Sequence, residues 1–158
     1  MRSVSFAAFL LLPLFAAVGE SPDGWAQWRG PNWDGMARGD APLHWSDTEH
    51  VKWKAEIPGR GHSSPVVWGD KIFLTTAVPT GAPPSTVRGA FGSSFSVAEQ
   101  KLMLLCLDRK SGKLLWEKVA KVATPHEGYH PQYGSFASNS PVTDGKHVIV
   151  FFGSRGVY

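Results

Sequence analysis

One cysteine, Cys106, stands in the 158 residues, so no intramolecular disulfide framework can staple this chain. Its place inside an apolar run reads as that of a small buried hydrophobe. Charged residues are scarce at 18%, and the Lys and Arg behind the formal charge of +3 are scattered. No basic stripe is therefore available to follow a nucleic-acid backbone. Long apolar runs are absent too: the longest, 6–18, is interrupted by Pro13 and falls short of the roughly 20 residues that cross a bilayer. A phosphate-cradling loop is also missing, since Gly59-Arg60-Gly61 lacks the remaining glycine and the strand and helix that such a loop joins.

What is present begins with the leader. Arg2 precedes the apolar segment, and Ala17-Val18-Gly19 places small residues where a signal peptidase reads. Residues 1–19 are expected to be a bacterial signal peptide, leaving a periplasmic or secreted protein without a transmembrane anchor. No cysteine lies there to carry a lipid. Residues 20–50 read as a lead-in strap, with Trp25, Trp28 and Trp33 crowded into an irregular stretch whose indoles are expected to dock in surface grooves. An aromatic platform for carbohydrate is the alternative.

Seventeen Gly and twelve Pro fall between apolar runs, the pattern of an all-β chain. Residues 51–57 alternate apolar and polar, as a strand with one wet face does. Gly69-Asp70 between two β-branched runs signals a two-residue hairpin. The stretch from Ser64 returns 76 residues later at Ser140, with Pro65 on Pro141, Val66 on Val142 and Gly69 on Gly145. This internal repeat is longer than the usual period of roughly 40 to 50 residues. Two insertions, 78–99 and 120–137, account for the excess and are expected to be long loops. Strands are predicted over 65–68, 71–76, 101–108 and 113–119.

Between the last two strands lies Cys106-Leu-Asp-Arg-Lys-Ser-Gly-Lys-Leu-Leu-Trp116. Leu102 to Leu107 enter it without alternation, so that strand needs a layer on both faces. Asp108 can accept from backbone amides ahead of it, and Gly112 supplies a positive φ. With Asp108, Gly112, Lys113 and Trp116 in these places, the stretch resembles the tryptophan-docking repeat of the PQQ-like (pyrroloquinoline quinone-type, BamB-like) β-propeller family. Ser111 replaces the usual Thr, and Cys106 the usual Ala. The resemblance implies four-stranded antiparallel blades, seven or eight in a full-length ring, of which about one and a half are present: 51–57 as an outer closing strand, 64–119 as blade one and 138–158 as an incomplete blade two. It implies that the chain is an N-terminal fragment and that Trp116 is a packing residue.

Chemistry is sparse. Family geometry puts the ends of innermost strands at the mouth of a central channel, which makes Arg60, His62 and Ser63, with Ser138 and Asn139 in the next repeat, a candidate ligand or partner site. The plainer role of these residues is to cap strand ends. His126 and His130 have zinc-like spacing for a helix, but Gly128, Pro125 and Pro131 argue against a helix there, and no metal is expected. No catalytic residue is assigned, because adjacent residues such as His62 and Ser63 on a strand point to opposite faces. Two functions follow from the resemblance. One is a non-catalytic scaffold that binds other proteins through loops or the propeller face, like the outer-membrane assembly factor BamB, with no cofactor. The other is an alcohol or sugar dehydrogenase using PQQ and calcium, whose Asp base and calcium-binding Glu and Asn cannot be assigned here.

Overall fold

A computed structural model describes residues 24–37, 39–88, 94–130 and 132–158. The expected signal peptide, and residues 20–23 of the strap, lie outside the described residues. The strands are β1 (Val66–Trp68), β2 (Lys71–Pro79), β3 (Ser85–Arg88), β4 (Ser94–Val97), β5 (Gln100–Asp108), β6 (Leu114–Ala123), β7 (Val142–Thr143) and β8 (Val148–Ile149). All pair antiparallel, and the only helical turn among the described residues is a 3-10 turn at Gly153–Arg155. The described residues are thus of the all-β class, and no helix among them is long and apolar enough to cross a membrane.

The main sheet has the order β1-β2-β5-β6. Gly69, with φ +57°, turns β1 into β2, where Val66 faces Phe73 and Trp68 faces Lys71. β2 and β5 pair from Lys71–Asp108 to Pro79–Gln100, and β5 then pairs with β6 through two register shifts. The unalternating run of β5 is explained by its two buried faces. Leu102, Leu104 and Cys106 pack with Val66, Phe73, Ala77, Ala137, Val150 and Phe152. Met103, Leu105 and Leu107 pack on the opposite face with Ala55, Ile72, Leu74 and Val78. At about 1.5–3 kcal/mol for each large apolar side chain, this strand is the centre of the fold's stability.

Residues 51–57 pair with no strand among the described residues; Ala55 packs on the Met103, Leu105 and Leu107 face of the main sheet. The expectations for the first insertion and for the strap need correction. The insertion 78–99 is not all loop. β2 runs on to Pro79, and Ser85 to Val97 closes the β3–β4 hairpin, in which Ser85 faces Val97 and Thr86 faces Ser96. Trp116 is 36% exposed: its ring meets Phe73 at 5.9 Å between centroids, but β6 is an edge strand and the outer side of the indole stays open. The strap does not dock all its indoles. Trp25 bridges Val67 through two 2.8 Å backbone bonds, extending the sheet past β1. Trp28 and Trp33 are 56% and 62% exposed, because the loop between them closes on itself through Gly30 to Gln27 and Gly35 to Arg29.

The second repeat lies against the main sheet. Ser64 N–H donates to Ser140 Oγ at 2.8 Å, joining the two equivalent serines. Thr143 N–H donates to Ala26 carbonyl, so the strap sits between β1 and β7. Past β8, Val150 and Tyr158 exchange backbone bonds of 3.0 and 2.9 Å.

Candidate functional site

The two ends of the main sheet differ in kind. At one end lie tight turns, two of them fixed by an aspartate. Asp108 Oδ1 accepts from Ser111 Oγ at 2.6 Å and from Ser111 N–H at 2.8 Å. These bonds, the hydroxyl's first, hold its carboxyl below the usual carboxylate range. Asp144 accepts from the backbone N–H groups of His147 and Lys146 and lies 3.1 Å from the His147 imidazole, which lowers its carboxyl further.

Onto the first of these turns docks Trp53. Its indole Nε1–H donates to Arg109 carbonyl at 3.0 Å. Its ring covers Gly112, where a Cβ would come within 2.6 Å of Trp53 Cδ2. Gly112 also has φ +71°, so both backbone conformation and close approach require glycine. The Asp108–Gly112 turn is therefore a receptor for a tryptophan from outside its own hairpin. Lys113 is exposed and closes the turn through its carbonyl, which accepts from Asp108 N–H.

At the other end gather the segments 58–64, 78–88, 94–99, 124–130 and 132–139, and here the sequence-predicted site residues lie near one another. Arg60 exchanges backbone bonds with Ala77, and its guanidinium lies 5.1 Å from the centroid of the Tyr129 ring. His62 N–H donates to Ala137 carbonyl, while its side chain is exposed. The Ser63 hydroxyl accepts from Thr75 N–H at 3.1 Å. Ser138 Oγ accepts from Ser135 N–H at 2.8 Å and donates to Ser135 carbonyl at 2.9 Å. Asn139 accepts a bond from Thr75 Oγ1 at its carbonyl, 3.2 Å, and the residue borders a cavity. The two serines serve the backbone; Arg60, His62 and Asn139 present side chains at this end.

That cavity, about 100 Å³, was not foreseen. Leu102, Phe136 and Phe152 give it an apolar floor, while Glu127, Tyr129 and Arg155 supply its polar wall. Tyr129 meets Phe136 edge-on at 4.7 Å. Glu127 Oε1 accepts from Ser154 Oγ, and Arg155 Nη2 donates to Thr124 carbonyl at 2.7 Å, so the 3-10 turn is tied to Thr124 and Glu127. The sequence signal for Glu127 was the His126-Glu127-Gly128-Tyr129-His130 cluster, read for its histidines. His126 lies beside Glu127, whereas His130 stacks on Tyr133 at 4.6 Å, so the two imidazoles take separate partners. Among the described residues no group of three or more His, Cys, Asp or Glu side chains is placed to hold a metal ion.

Compared with known proteins, the chain matches no family model, no curated protein and no solved structure.

Proposed function

We propose that this chain contributes a blade and the start of the next to an exported PQQ-like β-propeller that serves as a non-catalytic, protein-binding scaffold. The observation that carries the reading is Trp53 on the Asp108–Gly112 turn, hydrogen-bonded to Arg109 carbonyl. A tryptophan from one unit seated on the turn of the next is what the tryptophan-docking repeat implies, and it is a packing device. The four-stranded meander and the second repeat stacked on it through Ser64 and Ser140 agree with that arrangement. The binding face is the end carrying the long segments, where Arg60, His62, Tyr129 and Asn139 gather. The turn end is occupied by its own hydrogen bonds.

The test is a titration of the purified protein with PQQ and calcium, followed by absorbance and by dye-linked alcohol and glucose oxidation. The scaffold reading predicts no saturable uptake and no turnover. Stoichiometric, calcium-dependent uptake with turnover would overturn it in favour of a dehydrogenase.

A further inference from the structure

The strap leaves its largest side chains in water. Trp28, Trp33, Met36, Leu43 and Trp45 are 56%, 62%, 70%, 88% and 71% exposed, and elsewhere among the described residues only Tyr133 and Val157 are large apolar side chains as open as these. No helix or strand runs through 26–37 or 39–50, and the described residues from 36 to 45 form no backbone–backbone hydrogen bond. Both ends of this span are nevertheless pinned. Trp25 holds Val67 through two backbone bonds and its ring covers Gly30, while Asp47 pairs with Lys54 at 2.7 Å and Trp53 sits on the Asp108–Gly112 turn. The span is thus attached to the fold on either side yet keeps its apolar side chains uncovered, as interaction surfaces do.

Charge and regularity select the occupant. Between Trp28 and Trp45 the sequence sets Arg29 and Arg38 against Asp34 and Asp40, so there is no net charge to draw a polyanion or an anionic lipid. A protein groove reads apolar side chains set at strand or helix spacing, and neither element is present here. A sugar would stack on the indoles but leave Met36 and Leu43 in water. A lipid surface demands no register and takes indole, Leu and Met alike, the indoles at headgroup level with their N–H groups still hydrated. The open backbone sets the depth: unpaired amides do not enter hydrocarbon, so only the side chains reach the acyl boundary. Leu43, the most exposed of them, follows Pro42, which has no N–H to desolvate. We propose that Trp28, Trp33, Met36, Leu43 and Trp45 seat the protein on the surface of a lipid bilayer by hydrophobic insertion. This attachment goes beyond the scaffold reading and does not depend on it.

The probe is phosphatidylcholine vesicles titrated into the full chain, followed by flotation and by an environment-sensitive NBD dye attached at Leu43→Cys. Cys106, 0% exposed, stays unlabelled in native buffer. The dye should brighten and shift to the blue as vesicles are added, and the same dye at Lys110→Cys on the turn end should not. Mixing in phosphatidylglycerol in equal parts, or raising the salt, should change the affinity by less than about threefold, because no charge pairing drives the contact. Trp28→Ser, Trp33→Ser, Leu43→Ser and Trp45→Ser together should weaken partitioning by about a hundredfold or more, the scale of removing four large apolar groups from the boundary. This variant keeps residues 1–19, so any binding through that apolar segment survives in it, and an unchanged urea midpoint reports its fold. Equal partitioning of variant and wild type, no response of the dye at 43, or binding confined to anionic vesicles at low salt would overturn the proposal. So would a dye already blue-shifted before lipid is added, the sign that a protein surface covers the strap. PQQ uptake in the titration above would remove the scaffold reading and leave the vesicle result standing.

Discussion

Replacing Gly112 by Ala probes the Trp53 dock with a single methyl group. At φ +71° an L-residue pays about 1 kcal/mol in backbone conformation. The new Cβ would also sit 2.6 Å from Trp53 Cδ2, so the indole must leave its seat. That forfeits the 3.0 Å bond to Arg109 carbonyl, worth about 0.5–1 kcal/mol at an exposed site. It also forfeits the packing of a half-buried indole, about 1–2 kcal/mol. The total is about 3 kcal/mol, which at an m value near 2 kcal/mol/M lowers the urea midpoint by about 1.5 M. In a Trp53→Ala background only the backbone part remains, about 1 kcal/mol, so the double-mutant cycle should show a coupling near 2 kcal/mol. Additivity within about 0.5 kcal/mol would refute the claim that Trp53 occupies this turn.

Trp116→Ala should cost about 1–2 kcal/mol by urea unfolding, less than the 3–5 kcal/mol of a fully buried aromatic, because one side of the ring is open and the other rests on Phe73. A loss in the fully buried range would mean that the outer side is covered in solution. Acid should destabilise the fold through Asp108 and Asp144. Both carboxyls lie below their ordinary value of 3.8 when folded, so their contribution is complete above the unfolded-state value and is lost as pH falls through the folded-state values. The melting temperature should therefore drop on acidification below about pH 5, and a double Asp108→Asn, Asp144→Asn variant should show a flatter profile; an unchanged slope would contradict this. Cys106 is fully buried and burial pushes its thiol up from 9.0, so it should resist alkylation until denaturant is added. Labelling at the rate of a free thiol in native buffer would contradict the packing of β5.

The elements legible in the sequence were those with local signals. Gly69 and Gly112 mark turns by the φ they permit, and the strands beside them were placed to within a few residues apart from the ends that run on into Pro79 and Ala123. The unbroken Leu102–Leu107 run correctly demanded a layer on each face. The failures share one cause, dependence on partners distant in the chain. The exposure of Trp116 depends on what lies beyond an edge strand. The pairing of Ser85 to Arg88 with Ser94 to Val97 was hidden by the surrounding Pro and Gly. At the loop-rich end Arg60, His62, Ser63, Ser138 and Asn139 lie near one another through bonds to Ala77, Ala137, Thr75 and Ser135, whereas Glu127 and Arg155, held by Ser154 and Thr124, carry no motif that marks them.

Whether the loop-rich end is the interaction face is tested most directly by photo-cross-linking in the cells that produce the protein. Benzoylphenylalanine is placed at His62 and Tyr129 on that end and, in separate variants, at Asp70 and Lys110 on the turn end. The account predicts discrete protein adducts from His62 and Tyr129 and none from the turn end. Adducts from Asp70 and Lys110 alone, or equally from both ends, would contradict it.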